Sequence, residues 1–539
     1  MLTLQSNGRL ACPAAGLSSQ QYRAVMAQPR QIWSEAKKQF TFLPTPLGCS
    51  DLLKAELGGD VQIVRNLAGR WLHHRFGKKE SIPSFEKYVK TTPWKHQPSS
   101  IDFAVNCPSP YQNMGMGTGK SLITIASAAY CRHKRILILA PNAVVDVWPR
   151  EFRRHAHDGE FLVVPLGLEY ASVAKKCEAM KVALRHQGPV VIVINYESAH
   201  REPFASYASE IKWDAVVCDE IHRIKSPSGA AAKFARDLDC GHPIGLSGTM
   251  LPHDPLDAWS QFCFLEPALL GTSFMQFKKR YTIEGKFHQV VRFVNLEELH
   301  EKIRTITNTV SSDVLDLPEA THQQFTFSMS PKVAKAYKEL KKELISRIDS
   351  GVVTADNVLV RGLRLQQLTS GFYQDDVTGK IVELDEQPKI DALGDWVDAI
   401  PRGEKFVVFA RFKRDVATIA RFLQKSEYKI GYLTGDQNDL TRDATFNPAF
   451  DCYVVNIASG GVGVDLTAAN HAFYYSVSWN GADYEQSGAR LRRPGQIRTV
   501  HFGHAICRGT VDEEIYAAFQ EHKDLAEIVI HGLRKGGSS

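Results

Sequence analysis

From about residue 90 onward, the chain alternates short apolar runs with amphipathic stretches. RILILAP (135–141), VVIVINY (190–196) and DAVVCDE (214–220) are rich in β-branched residues and lack polar alternation. That is the pattern of strands buried on both faces of a parallel sheet. KFVVFA (405–410), CYVVNIA (452–458) and HAFYYS (471–476) repeat it in the second half. LITIASAAYCRH (122–133) suits a buried helix, and SPKVAKAYKELKKELISRI, opening at Ser330, reads as an amphipathic one. Strands alternating with helices predict an α/β class built on parallel sheets. At 539 residues the chain exceeds one ordinary core, so two or more domains are expected.

Composition changes this picture little. Hydrophobic residues at 44% and charged residues at 23% fit a soluble globular protein. No apolar run reaches the ~18 residues of a membrane span, and MLTLQSNGRL lacks the layout of a signal peptide. The ten cysteines are scattered without a Cys-x-x-Cys pair. This argues against zinc ribbons and a disulfide framework, and for a reducing compartment: a cytoplasm, or a nucleus if the source is eukaryotic. The net charge of +6 is a mild excess, compatible with a polyanionic partner.

Candidate chemistry starts at MGMGTGKSL (114–122), a phosphate-loop pattern with Met114 in place of the usual first glycine. A Gly-rich turn opening a helix directs backbone N–H groups and the helix dipole at an anion. Gly117, Thr118 and Gly119 would form the cradle, Lys120 would reach the phosphates and Ser121 would hold Mg²⁺. An exposed lysine on an ordinary turn is the plainer alternative. WDAVVCDEIHRIKS ends its strand in Asp219-Glu220, two carboxylates that are costly together unless they face a cation or a reactive water. Asp219 fits a magnesium ligand and Glu220 the base that orients the attacking water. Further segments are GLSGTMLPHDPLDAWSQF from Gly245, NIASGGVGVDLTAANHAFYYSVSWN (456–480) and EQSGARLRRPGQ (485–496). Arg490 and Arg493, three apart, would share a face if the last segment is helical.

In this order and spacing the segments resemble the Swi/Snf family of superfamily 2 helicase-like ATPases. Met116-Gly117-Thr118-Gly119-Lys120-Ser121 fits that family's loop, which does not use glycine where Met114 stands. Asp219-Glu220-Ile221-His222-Arg223-Ile224-Lys225 resembles its acidic motif, Ser247-Gly248-Thr249 its third motif, and Arg490-Leu491-Arg492-Arg493-Pro494-Gly495-Gln496 its last. Asp465 stands where the family usually has Asn. The likeness covers about Trp94 to Phe519, with the long insertions of many chromatin remodellers absent or short.

The resemblance implies two RecA-like parallel-sheet lobes with helical insertions, plus a small N-terminal domain. The expected boundaries are 1–88 for an accessory domain, 89–315 for the ATP-binding lobe, 316–375 for a helical insertion and 376–539 for the C-terminal lobe. It implies ATP and Mg²⁺ in the cleft between lobes, with Gln97 reading adenine and Arg490 and Arg493 completing catalysis. His222, Ser247 and Thr249 would couple nucleotide to DNA. Pro141, Asn142, Asn195, Tyr196, Arg411 and Thr467 would touch the DNA backbone. The implied activity is ATP-dependent translocation on double-stranded DNA with little sequence preference, in a compact bacterial, viral or repair-type motor. A strand-separating DNA or RNA helicase, and a DNA-binding scaffold without turnover, are the alternatives. Within 1–88, Arg65, Arg70, His73, His74, Arg75, Lys78 and Lys79 interleave with Trp71 and Phe76. Such a mixture can bind nucleic acid or form a solvated face over a small core. The terminal LRKGGSS is expected to be flexible.

Overall fold

The computed structural model describes residues 2–29, 31–59, 61–77, 81–82, 84–248, 254–285, 289–349, 355–374, 381–384, 388–441, 444–457, 464–479 and 481–520. Lys78, Lys79, Thr249 and the terminal LRKGGSS lie outside them. The chain divides into two compact units, Met1–Leu315 and Asp316–Ser539.

The first unit opens with a four-stranded antiparallel sheet of β1 (Thr3–Leu4), β2 (Leu10–Pro13), β3 (Ile32–Ser34) and β4 (Gln39–Phe42), in the order β1-β2-β4-β3. Leu10, Cys12 and Phe42 face the helices Pro46–Lys54 and Gln62–Phe76 across a small core. The helix Gln62–Phe76 turns Trp71 into the core of the following lobe. The ring of His74 meets the carbonyl of Thr305 at 2.7 Å. Part of the basic and aromatic set is therefore spent on packing. Arg65, Arg70, His73 and Arg75 stay exposed, and Phe76 is 79% exposed beneath the Arg75 guanidinium.

The main sheet of this unit has seven parallel strands: β5 (Tyr111–Met114), β6 (Arg135–Ala140), β7 (Leu162–Leu166), β8 (Val190–Asn195), β9 (Ala215–Asp219), β10 (Pro243–Ser247) and β11 (Thr307–Val310). Their order is β11-β5-β10-β9-β6-β8-β7. Val190–Asn195 and Ala215–Asp219 are buried at every position, which is why these strands read as continuous apolar runs. Pairing of Ser247 with Asn113 and of Leu246 with Asp219 sets the carboxyl ends of β5, β10 and β9 side by side.

The second unit holds a six-stranded parallel sheet: β12 (Ala320–Phe327), β13 (Phe406–Ala410), β14 (Ile430–Leu433), β15 (Cys452–Asn456), β16 (His471–Tyr474) and β17 (Val500–Cys507), in the order β12-β17-β16-β13-β15-β14. The helical insertion expected over 316–375 is corrected at its start. ATHQQFTF pairs over its whole length with β17 as an edge strand. Its partly buried Phe325 and Phe327 pack on one of the cores of the sheet, an alternation that belongs to a half-buried strand. The helices Pro331–Asp349 and Ala355–Thr369 then follow, the first with the Ser330 hydroxyl accepting from the Val333 N–H.

Candidate functional site

β5 ends at the fully buried Met114, so this position belongs to the strand and not to the loop. That removes any need for glycine there. The turn that follows does need it: Gly117 and Gly119 sit at φ +74° and +90°, which only glycine adopts freely. Gly119 occupies the N-cap of the helix Lys120–Tyr130 and makes no side-chain bond to its first N–H groups. Those donors remain available to an anion. A Cβ on Gly119 would overlap Nε2 of Gln97. This amide packs against the loop, donating to the Thr118 carbonyl at 2.9 Å and accepting the Trp94 N–H at 2.7 Å. Lys120 Nζ donates to the Met114 carbonyl at 2.9 Å.

Asp219 closes β9, and Glu220 follows in the left-handed region at φ +51°, unusual for a residue with a side chain. Both are buried. Burial and the neighbouring Glu220 push the Asp219 carboxyl well above its usual range, against the opposing pull of Lys120. A buried acid pair under this stress suits a cation. Ser121 and Asp219 offer the hard oxygen donors that magnesium takes. One Glu220 oxygen accepts from the Ser247 hydroxyl at 3.4 Å and lies 3.4 Å from Nδ1 of His222. His222 and Ser247 are 3.3 Å apart. Two stretches about 25 residues apart thus meet in one triangle because β9 and β10 are neighbours.

Three residues at this site carried no signal of that role in the sequence. The Trp148 indole N–H donates to Asp219 at 3.1 Å, and the Tyr196 hydroxyl donates to the Asp219 carbonyl at 2.8 Å. The half-buried Glu151 lies beside His155 and the Ser121 hydroxyl, which lower its pKa against the pull of burial. No periodicity or motif distinguishes these from core residues.

The expected DNA contacts are placed unevenly. Asn142 is exposed at the carboxyl end of β6, whereas Pro141 is buried. Asn195 accepts from Lys176 at 3.2 Å and donates to Glu197 at 3.1 Å, so its side chain faces the protein, as does that of Tyr196. In the second unit Arg411 donates to Gln366 at 3.3 Å, and burial pushes its guanidinium down to about 10. The Thr467 hydroxyl and N–H both donate to Asp465, at 2.7 and 2.9 Å. Asp465 is thereby an acceptor within its own turn.

The two arginines do not share a helix. The helix Gly481–Gly488 ends before them. Pro494 and Gly495 work against its continuation: the residue before a proline avoids helical backbone, and Gly495 sits at φ +107°. Arg490 is buried and pushed down to about 10 by that burial. Arg493 is half-buried, with Nη1 donating to the Val464 carbonyl at 3.0 Å. The Leu466 N–H donates to the Arg490 carbonyl and the Gln496 amide to the carbonyls of Thr467 and Ala469, holding the last motif against residues 464–469.

Among the described residues, no helix is long and apolar enough to cross a membrane. Residues 112–371 match the SNF2-related domain, and residues 388–495 match the helicase conserved C-terminal domain. A Bacillus subtilis protein named for ATP-dependent helicase/translocase activity, YwqA, is 26% identical over 435 residues, 77% of this chain and 46% of its own. The DNA repair and recombination protein RAD54-like of Drosophila persimilis is 22% identical over 468 residues, 77% of this chain and 60% of its own. The chain therefore spans about half the length of these curated relatives. The SWI2/SNF2 ATPase core of Sulfolobus solfataricus, solved with dsDNA, aligns over 84% of this chain and 96% of its own at 23% identity, with a TM-score of 0.39.

Proposed function

Because the chain belongs to the Swi/Snf family of helicase-like ATPases, we propose that it is an ATP-driven translocase on double-stranded DNA. The observation that carries this reading is the meeting, at the ends of β5, β10 and β9, of an uncapped helix start, Lys120 and two buried carboxylates. The backbone N–H groups at the helix start bind the phosphates of ATP, and Lys120 balances their charge. Ser121 and Asp219 would hold Mg²⁺, which would supply positive charge against the phosphates. Glu220 orients a water for in-line attack on the γ-phosphorus. Its proton leaves toward Glu220 while the β–γ bridging oxygen departs with ADP. Arg490 and Arg493 are the candidate finger residues.

The contact of Glu220 with Ser247 and His222 supports a coupling role for these two. A change of charge at the carboxylate alters hydrogen bonds reaching β10, and Thr249 follows two residues after Ser247 in the chain. DNA is held through its phosphates, at Asn142 by side chain and at Asn195 and Tyr196 by backbone, with Arg411 and Thr467 serving in the second unit. Contacts of this kind carry little sequence information and weaken steeply with salt.

The test compares ATPase stimulation by duplex DNA, single strands and RNA, together with displacement of a third strand from a triplex and unwinding of a forked duplex. Stimulation greatest with duplex, and ATP-dependent triplex displacement with little fork unwinding, are expected. Efficient fork unwinding without triplex displacement would replace translocation by strand separation, and absence of turnover would leave a DNA-binding scaffold.

A further inference from the structure

The end of the first parallel sheet opposite the nucleotide site carries a cluster that the motor chemistry does not use. Cys131 caps the carboxyl end of the helix Lys120–Tyr130, His133 lies in the turn before β6, and His242 immediately precedes β10. Each can offer one metal-ligand atom, and the three atoms lie within 4.8 Å of one another. Zinc with thiolate and imidazole at its usual bond lengths sets its ligands roughly 3.3–3.8 Å apart in a tetrahedron, so about 1 Å of inward movement closes the set.

The two histidines are buried and their rings stand edge to face at 5.3 Å. Nδ1 of His133 has no hydrogen-bond partner although it is inaccessible to solvent, an arrangement that native interiors avoid. Nε2 of His242 lies 3.1 Å from the carbonyl of Cys107. A carbonyl accepts only, so Nε2 carries the proton, and the carbonyl of Ala104 is a second acceptor for the ring. A metal-bound imidazole is commonly oriented by such a carbonyl.

We propose that Cys131, His133 and His242 form a site for one borderline-soft divalent ion of the zinc class, with the fourth position left to water. Arg70 opposes a cation here, and Asp214 favours one beside His133. The Cys131 thiol gives up its proton to solvent as the metal–sulfur bond forms. No electron transfer is involved. The ion would tie the far end of the phosphate-loop helix to the segment feeding β10, and so to Ser247, without entering the nucleotide site.

The full chain, stripped with a chelator and dialysed, is titrated with Zn²⁺ alone against a chromophoric chelator. It is then loaded with Co²⁺ for absorption spectroscopy. The expected results are one zinc per chain, a rise in melting temperature on loading, and a thiolate-to-cobalt charge-transfer band. Cys131→Ser should abolish that band, and Cys131→Ser and His242→Gln should each weaken zinc binding at least tenfold. The metal-free melting of each variant reports whether it folds. If one does not, the cobalt spectrum of the wild-type chain decides alone. No zinc bound at micromolar free concentration, no thiolate band, or undiminished binding in both folded variants would overturn the site.

Discussion

Replacing Gly119 by alanine tests the construction of the phosphate loop most directly. The residue sits at φ +90°, where a Cβ meets the following backbone at a cost of about 1–2 kcal/mol. The added carbon would also overlap Nε2 of Gln97. Gln97 is 2% exposed and must move, losing its bonds to the Thr118 carbonyl and the Trp94 N–H. Each buried group left unpaired costs about 1–3 kcal/mol. The sum is roughly 3–8 kcal/mol if the loop keeps its shape, so the loop should abandon that shape. Nucleotide affinity, followed by fluorescence of a labelled ATP analogue, should fall at least a hundredfold, with a lowered melting temperature. Gln97→Ala in the same chain removes the obstructing amide but not the left-handed backbone. The double variant should therefore recover part of the loss, a coupling that a double-mutant cycle reads. Wild-type affinity in Gly119→Ala, or strictly additive losses in the double variant, would refute this account of the loop.

Lys120→Ala should abolish hydrolysis in steady-state assays while leaving the melting temperature nearly unchanged, because the bonds lost are those to the carbonyls of Met114 and Gly115, six and five residues before it. Glu220→Gln keeps an acceptor for Ser247 and should retain the fold, lose about 10²-fold or more in hydrolysis, and hold ATP through gel filtration. Arg493→Ala should cut turnover by about 10³-fold with nucleotide binding retained and little loss of stability. Arg490→Ala should also lower the melting temperature, since Arg490 is buried. Burial holds His504 at about 3, far below the ordinary imidazole value. The unfolded chain therefore takes up this proton first. The stability from His504 is full above about pH 7 and falls below about 6.5, by roughly 2 kcal/mol at pH 5. Melting curves at pH 7.5 and 5.0 measure this, and His504→Gln should remove its share of the dependence, leaving that of His133 and His242.

The parallel class, the strands and the loop were legible in the chain because each rests on local pattern. Buried parallel strands read as unbroken β-branched runs, and a phosphate cradle needs its glycines and lysine in sequence. The acid pair was legible for the same reason, as adjacent carboxylates at the end of an apolar run. What only the tertiary structure decided depends on strand order. β5, β10 and β9 lie together although about a hundred residues separate the first from the third, and the pairing of β9 with β10 sets Ser247 on Glu220. Trp148 and Tyr196 reach Asp219 by side-chain direction, which no spacing rule encodes. ATHQQFTF became a strand because β17 offered it an edge, a partner about 180 residues away. Arg490 and Arg493 lie past the end of the helix Gly481–Gly488, in a segment that Pro494 and Gly495 keep from helical backbone. Local chemistry is written in neighbouring residues, whereas contacts between distant segments arise only when the sheet has chosen its order and register.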